Sequence, residues 1–126
     1  KGRSHEETHA IGRQIMSFVR RGGRIGIVSD LHERGGIPVP FFGQPAPSVA
    51  APALIARTTG TRIWMARCVR VGRQSRFKIE IKELKVRRTA NQSEDVRWIT
   101  AEMQKQFEAW VRETPEQWMW GNRRWS

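Results

Sequence analysis

Ile11, Ile15, Phe18 and Val19 fall at i, i+4, i+7 and i+8, the spacing of one apolar stripe on a helix. Gly22 and Gly23 follow, so the pattern predicts a helix that stops there, with Arg20 and Arg21 in its last turn complementing the helix dipole. The run Arg24-Ile25-Gly26-Ile27-Val28, closed by Ser29 and Asp30, reads as a short buried strand. A helix feeding such a strand through a glycine pair is a signal of α/β organisation. From Leu31 to Gly43 the periodicity fails and a loop is expected, with Gly35 and Gly36 permitting unusual dihedrals. Pro38 and Pro40 bias its centre, Val39, towards extended backbone. Ser48 is placed to cap a helix running to Arg57 and closed by Gly60, with Pro52 early enough to be tolerated.

Two strands are predicted next, Thr61 to Val71 and Arg76 to Leu84, joined by a hairpin turn at Gly72-Arg73-Gln74-Ser75. The second alternates, with Phe77, Ile79 and Ile81 expected inward and Lys78, Glu80 and Lys82 outward. Ser93 ahead of Glu94 and Asp95 marks another helix start. Val96, Ile99, Met103, Phe107 and Trp110 then give an amphipathic helix to about Glu113, stopped by Pro115. The order α-β-α-β-β-α, without repeats, predicts one α/β unit over residues 1–126, a mixed sheet flanked by helices.

Charge adds a direction to this outline. The net charge is +11, and residues 61–92 hold ten Lys or Arg against two acids, a surplus of +8. Such a surface favours polyanions: nucleic acid, anionic lipid headgroups or an acidic carrier protein. Six Trp, with Trp118, Trp120 and Trp125 set among Arg123 and Arg124, suit either base stacking or a membrane interface. Trp98 and Trp110 lie on or near the helical stripe and read as core. A lone cysteine, Cys68, excludes an internal disulfide; its place in mid-strand predicts a small buried residue, not a nucleophile. No run approaches the roughly 18 apolar residues of a membrane span.

Two motifs are set aside. His5-Glu6-Glu7-Thr8-His9 is a literal H-E-x-x-H, but no apolar stripe buries it and no third ligand stands at a family spacing, so no metal is expected. Gly22-Gly23 with Gly26 precedes a predicted strand, whereas a dinucleotide loop follows one, and no cofactor is expected.

Three blocks together carry a resemblance. Ser29-Asp30 followed by Gly35-Gly36-Ile37-Pro38-Val39-Pro40-Phe41-Phe42-Gly43-Gln44-Pro45-Ala46 is similar to a signature loop of the late acyltransferases of lipid A biosynthesis. Ala53-Leu54-Ile55-Ala56-Arg57-Thr58-Thr59-Gly60-Thr61-Arg62 resembles that family's next helix and strand. Pro115-Glu116-Gln117-Trp118-Met119-Trp120-Gly121-Asn122-Arg123-Arg124-Trp125 resembles its closing segment, with Asn122 where His is usual. Asn keeps a hydrogen bond but carries no proton near neutral pH, so a structural role is expected there.

The resemblance implies a glycerolipid acyltransferase-like α/β fold on the cytoplasmic face of the inner membrane. It implies transfer of a fatty acyl chain from acyl carrier protein, or coenzyme A, to a hydroxyl of a lipid A precursor. In that family a His followed five positions later by Asp or Glu is the general base, the carboxylate fixing the imidazole tautomer. The residues five positions after His5, His9 and His32 are Ala10, Gln14 and Ile37, so no such pair stands in these 126 residues. The chain is therefore expected to be the C-terminal portion of a larger enzyme, inactive alone, with base and membrane anchor upstream. Asp30 is the expected supporting catalytic residue. Glu33, Arg34, Arg67, Arg123 and Arg124 are candidate substrate contacts, and the departure at Leu31 leaves His32 without an assigned role. Nucleic acid is not an expected partner on this reading. Two alternatives remain at this stage: a non-catalytic basic module for anionic membrane or nucleic acid, and transfer to another glycolipid such as a phosphatidylinositol mannoside.

Overall fold

The computed structural model describes residues 5–125, with side chains from Glu6 onward. Helix α1 (His5–Arg20) leads through an irregular segment to a hairpin of β1 (Ile37–Phe41) and β2 (Gln44–Ser48). Helix α2 (Ala51–Thr59), a second hairpin of β3 (Ile63–Arg70) and β4 (Phe77–Leu84), and the long helix α3 (Gln92–Glu113) follow. A 3₁₀ turn at Pro115–Gln117 begins a C-terminal tail. Helices and strands thus both build the unit, as an α/β fold requires, but the strands form two separate antiparallel pairs in place of one mixed sheet.

Proline explains why the first hairpin reads as a loop. Pro38 faces Pro47 and Pro40 faces Pro45 across the pair, while Val39↔Ala46 and Phe41↔Gln44 alternate with them. Opposed residues in an antiparallel pair alternate between bonded and non-bonded positions. Four prolines at the non-bonded positions cost the ladder nothing, although proline ordinarily argues against a strand. The turn is Phe42 and Gly43, both at positive φ (50° and 74°), the two-residue geometry whose twist matches a hairpin. Val39, Phe41, Ala46 and Ser48 are buried on the face towards α3. Gly36 enters this hairpin so close to β2 that a Cβ there would meet the Ser48 carbonyl oxygen at 2.4 Å.

The core lies where α2, β3 and α3 meet, with Ala53, Ala56, Ile63, Met65, Ile99 and Met103 buried together. Val96, Ile99 and Met103 supply the buried part of the predicted α3 stripe, and Trp98, Phe107 and Trp110 pack partly buried against it. Asn91 caps α3, its side chain accepting from the Glu94 N–H at 3.1 Å, earlier than Ser93 suggests. Gly60 closes α2 at φ 80°, as expected, but the residue before α2 is Ala50 with no side-chain cap; Ser48 belongs to β2.

Asp95 ties α2 to α3. It is fully buried, its Oδ2 accepting from Arg57 Nε at 2.9 Å and from Thr89 N–H at 2.6 Å, its Oδ1 from the Thr89 hydroxyl at 2.7 Å. Burial opposes its ionisation, but the bonds from Arg57 and Thr89 and the Arg57 charge outweigh that and hold the carboxyl at about 2, below its ordinary 3.8. A depressed carboxyl pKa contributes stability above the unfolded value that is lost as pH falls through the folded one. Acid unfolding followed by circular dichroism should therefore show a loss of stability between about pH 4 and pH 2, and Asp95→Asn should flatten that segment while lowering stability at pH 7.

Three expectations are overturned here, two because a pattern of alternation does not say which face is covered and one because an apolar run does not say whether it is paired. Phe77, Ile79 and Ile81 point outward, at 56, 68 and 64% exposure. Pairing places them beside Arg70, Cys68 and Ala66, while α3 covers the opposite face, which carries Ile63 and Met65. Cys68 is exposed for the same reason. The Arg24–Val28 run pairs with no strand among the described residues; Ile25, Ile27 and Val28 remain 41, 40 and 71% exposed. An extended run becomes a strand only with a ladder to join.

Candidate functional site

The two outer blocks of the sequence come together around the first hairpin. The tail after α3 turns back and lays Trp118 and Trp125 against Phe41, with ring centroids 5.7 and 5.6 Å away. Trp125 Nε1 donates to the Phe41 carbonyl at 3.0 Å, and the Phe42 N–H reaches back to the Glu108 carboxylate on α3. Trp118 and Trp120 meet edge to face at 4.9 Å, and Trp120 Nε1 donates to Pro115 O at 2.7 Å. Aromatic pairs in such arrangements gain roughly 0.5–1.5 kcal/mol beyond their buried area.

Arg124 is the centre of this contact. Only 1% exposed, it donates from Nη1 to Pro47 O at 2.8 Å, and from Nη2 to Ser48 Oγ at 2.7 Å and Gln104 Oε1 at 2.8 Å. Its guanidinium also lies over the Phe41 ring at 4.9 Å. Pro47 offers its carbonyl because a non-bonded strand position turns its oxygen away from the ladder. Burial lowers the Arg124 pKa and the nearby charge of Asp30 partly restores it.

Gln104 passes this order on to the predicted site. Its Nε2 donates to Ser29 O at 2.8 Å, so one buried amide joins the tail, α3 and the residue before Asp30. Asp30 is half-buried at the rim, accepting from Trp118 Nε1 at 3.4 Å. Beside it lies a cavity of about 350 Å³ between the segment Ile27–Asp30, the strand residues Ala66 to Val69 and the α3 residues Phe107 and Trp110.

Arg67 borders the same cavity, held by Glu80 (Nε to Oε2, 2.6 Å), by Glu113 and by the Trp110 carbonyl at 3.3 Å, with Trp110's ring 5.3 Å from its guanidinium carbon. Burial tends to lower its pKa, but the two carboxylates outweigh this and raise it. Bonded to Arg67 and then Lys78, Glu80 is shifted down. Arg70 sits on the opposite strand face, as alternation requires.

Of the six candidate residues, Asp30 and Arg67 thus share a cavity and Arg124 braces its surroundings from within the fold. Glu33 and Arg34 are exposed on a turn in which the Gly36 N–H donates to Glu33 O at 2.9 Å. Arg123 is exposed beside its buried neighbour. Asn122 uses its backbone N–H in a turn to Met119 O at 3.2 Å. Glu7, Thr8 and His9 lie on the first turns of α1, the side chain of His5 lies outside the described residues, and no cluster of three metal-ligating groups occurs among those described. Gln104 was not singled out in the sequence, and Ser48 only as a helix cap. For Gln104 a signal existed: it stands four residues after Thr100 and eight after Val96, on the buried face of α3, where a polar side chain needs a partner.

A chain with two antiparallel hairpins docked on a long helix, and an acid lining a cavity, is an α/β unit. It belongs to the bacterial lipid A biosynthesis acyltransferases, whose family profile matches residues 1–126. No curated protein gives a match.

Proposed function

We propose that the chain serves acyl transfer from acyl carrier protein, or coenzyme A, to a hydroxyl of a lipid A precursor at the cytoplasmic face of the inner membrane. The match of the acyltransferase family across the whole chain carries this reading. None of its histidines has an acid five positions on, so the base acts from outside these residues and this stretch alone is inactive. Asp30 supports the reaction from the cavity rim by orienting a base or donor. Glu33, Arg34 and Arg123 are exposed where substrate headgroups can be met, and Arg67 shapes the cavity wall. The surplus of +8 over residues 61–92 favours an acidic carrier as donor, with an association weakened by salt. No helix among the described residues is long and apolar enough to cross a membrane.

The test uses a polypeptide that joins these residues to a His-x4-Asp/Glu element, assayed with acyl-acyl carrier protein and a lipid A precursor. Asp30→Ala is expected to lower kcat by roughly 100-fold or more while the polypeptide remains folded. No transfer by the unmutated enzyme to any glycolipid would sink the reading; full activity of the variant would remove Asp30 from it.

A further inference from the structure

Two apolar residues of the closing block stay largely in water. Gln117 and Trp118 border the cavity that Asp30 lines. Met119 and Trp120, which follow directly, are 71 and 53% exposed. Trp120 is held rigidly all the same, its Nε1 donating to Pro115 O at 2.7 Å and its ring edge to face with Trp118. A fixed ring whose polar atom is already bonded offers the solvent only apolar surface.

A second element adjoins this one. Gln117 Oε1 accepts from the Arg70 N–H at 2.8 Å and Gln117 Nε2 donates to Arg70 O at 3.2 Å, which fixes the tip of the β3–β4 hairpin against the tail. The tip is closed by the Val71 N–H on Arg76 O at 2.9 Å. Val71 is exposed there, as are Arg73 and Arg76, and Arg123 is exposed on the tail. Among the described residues no ion pair engages any of these three arginines. Glu116 is the single acid in residues 70–77 and 115–125 taken together.

We infer that this end of the molecule is its lipid-facing surface: Met119, Trp120 and Val71 enter the headgroup layer of an anionic bilayer, and Arg73, Arg76 and Arg123 meet its phosphates. Such a layer takes up aromatic rings at headgroup depth and guanidinium groups at phosphate, both at once. An acidic carrier protein or a nucleic acid would answer the cations but leave Met119 and Val71 in water. Because Gln117 and Trp118 lie directly behind Met119 and Trp120, docking here brings the cavity up to the lipid from which a lipid substrate arrives. This assignment rests on the lipid substrates of the acyltransferase reading, whereas vesicle binding needs no acyl transfer, so each can fail alone.

The 126-residue chain is mixed with vesicles of equal parts phosphatidylcholine and phosphatidylglycerol, and partitioning is measured by co-sedimentation. Met119→Ser and Trp120→Ala are each expected to weaken partitioning by about five-fold or more. Arg73→Gln with Arg76→Gln should weaken it by about ten-fold or more, an effect that shrinks as salt rises. All four positions are exposed, and circular dichroism checks that each variant keeps the fold. With brominated lipid in the vesicles, quenching of tryptophan fluorescence reads which ring enters. Trp120→Phe should remove most of the quenching, while Trp64→Phe, at a similarly exposed tryptophan on the outer face of the second hairpin, should leave it. Partitioning that neither Met119→Ser nor Trp120→Ala weakens overturns the assignment, and so does quenching that Trp64→Phe abolishes, since lipid then meets the other face. Trp120→Ala weakening the hold on single-stranded DNA but not on vesicles overturns it in favour of nucleic acid.

Discussion

Replacing Arg124 with alanine is expected to destabilise the chain by about 4 kcal/mol, measured by urea unfolding with tryptophan fluorescence. Ser48 Oγ and Gln104 Oε1 lose the Arg124 donor at once and Pro47 O keeps only the Glu33 N–H at 3.3 Å, and each buried acceptor left unmatched costs roughly 1–3 kcal/mol. The contact over Phe41 is lost too. Arg124→Met separates these effects. It keeps the stem packed on Phe41 and removes a buried charge whose Nε has no partner, so it should cost less than alanine despite losing the same bonds. Equal losses for the two variants would show that the bonds matter and the packing does not. Because Gln104 holds both Arg124 and the Ser29 carbonyl, exchange at Asp30 should also quicken in either variant.

Phe41→Ala is expected to cost roughly 3–5 kcal/mol, the range for emptying a buried aromatic site. Phe41 is fully buried and touches Phe42, Trp118 and Trp125 ring to ring, besides the Arg124 guanidinium. Among the described residues the tail has no helix or strand beyond the turn at Pro115–Gln117, so these rings, the Trp125 bond to Phe41 O and the Arg124 bonds hold it in place. Limited proteolysis should therefore cut the Phe41→Ala chain first between Met119 and Trp125, before α3 is attacked. Preferential cleavage in the hairpin β3–β4 instead would show that the tail is held by other contacts.

The family signature in the sequence gains a physical meaning from these contacts. The apolar block from Ile37 to Ala46 and the tryptophan-rich block from Pro115 to Trp125 stand about eighty residues apart, yet they are two halves of one packing unit. Glycine and proline at fixed places give the first block its hairpin; tryptophan and arginine give the second its grip.

Local chemistry by itself determined α3, whose apolar residues repeat at three and four, and the closing of α2 at Gly60. It also determined the hairpin of β3 and β4, because a strand pair with a polar turn between is written in adjacent residues. Asp30 reads as a site candidate from the residues around it, and the fold places it in the lining of a cavity that no local pattern foretells. Only the tertiary structure decided which face of the second hairpin is covered, since Phe77, Ile79 and Ile81 alternate identically whether or not α3 lies over them. It alone decided that Arg24–Val28 stays unpaired, for pairing is a property of neighbours and not of the run. It likewise turned Arg124 from a candidate substrate contact into an internal brace, because a guanidinium is recruited by whatever acceptors the fold brings within 3 Å of it, and those acceptors come from two distant stretches of chain, β2 and α3.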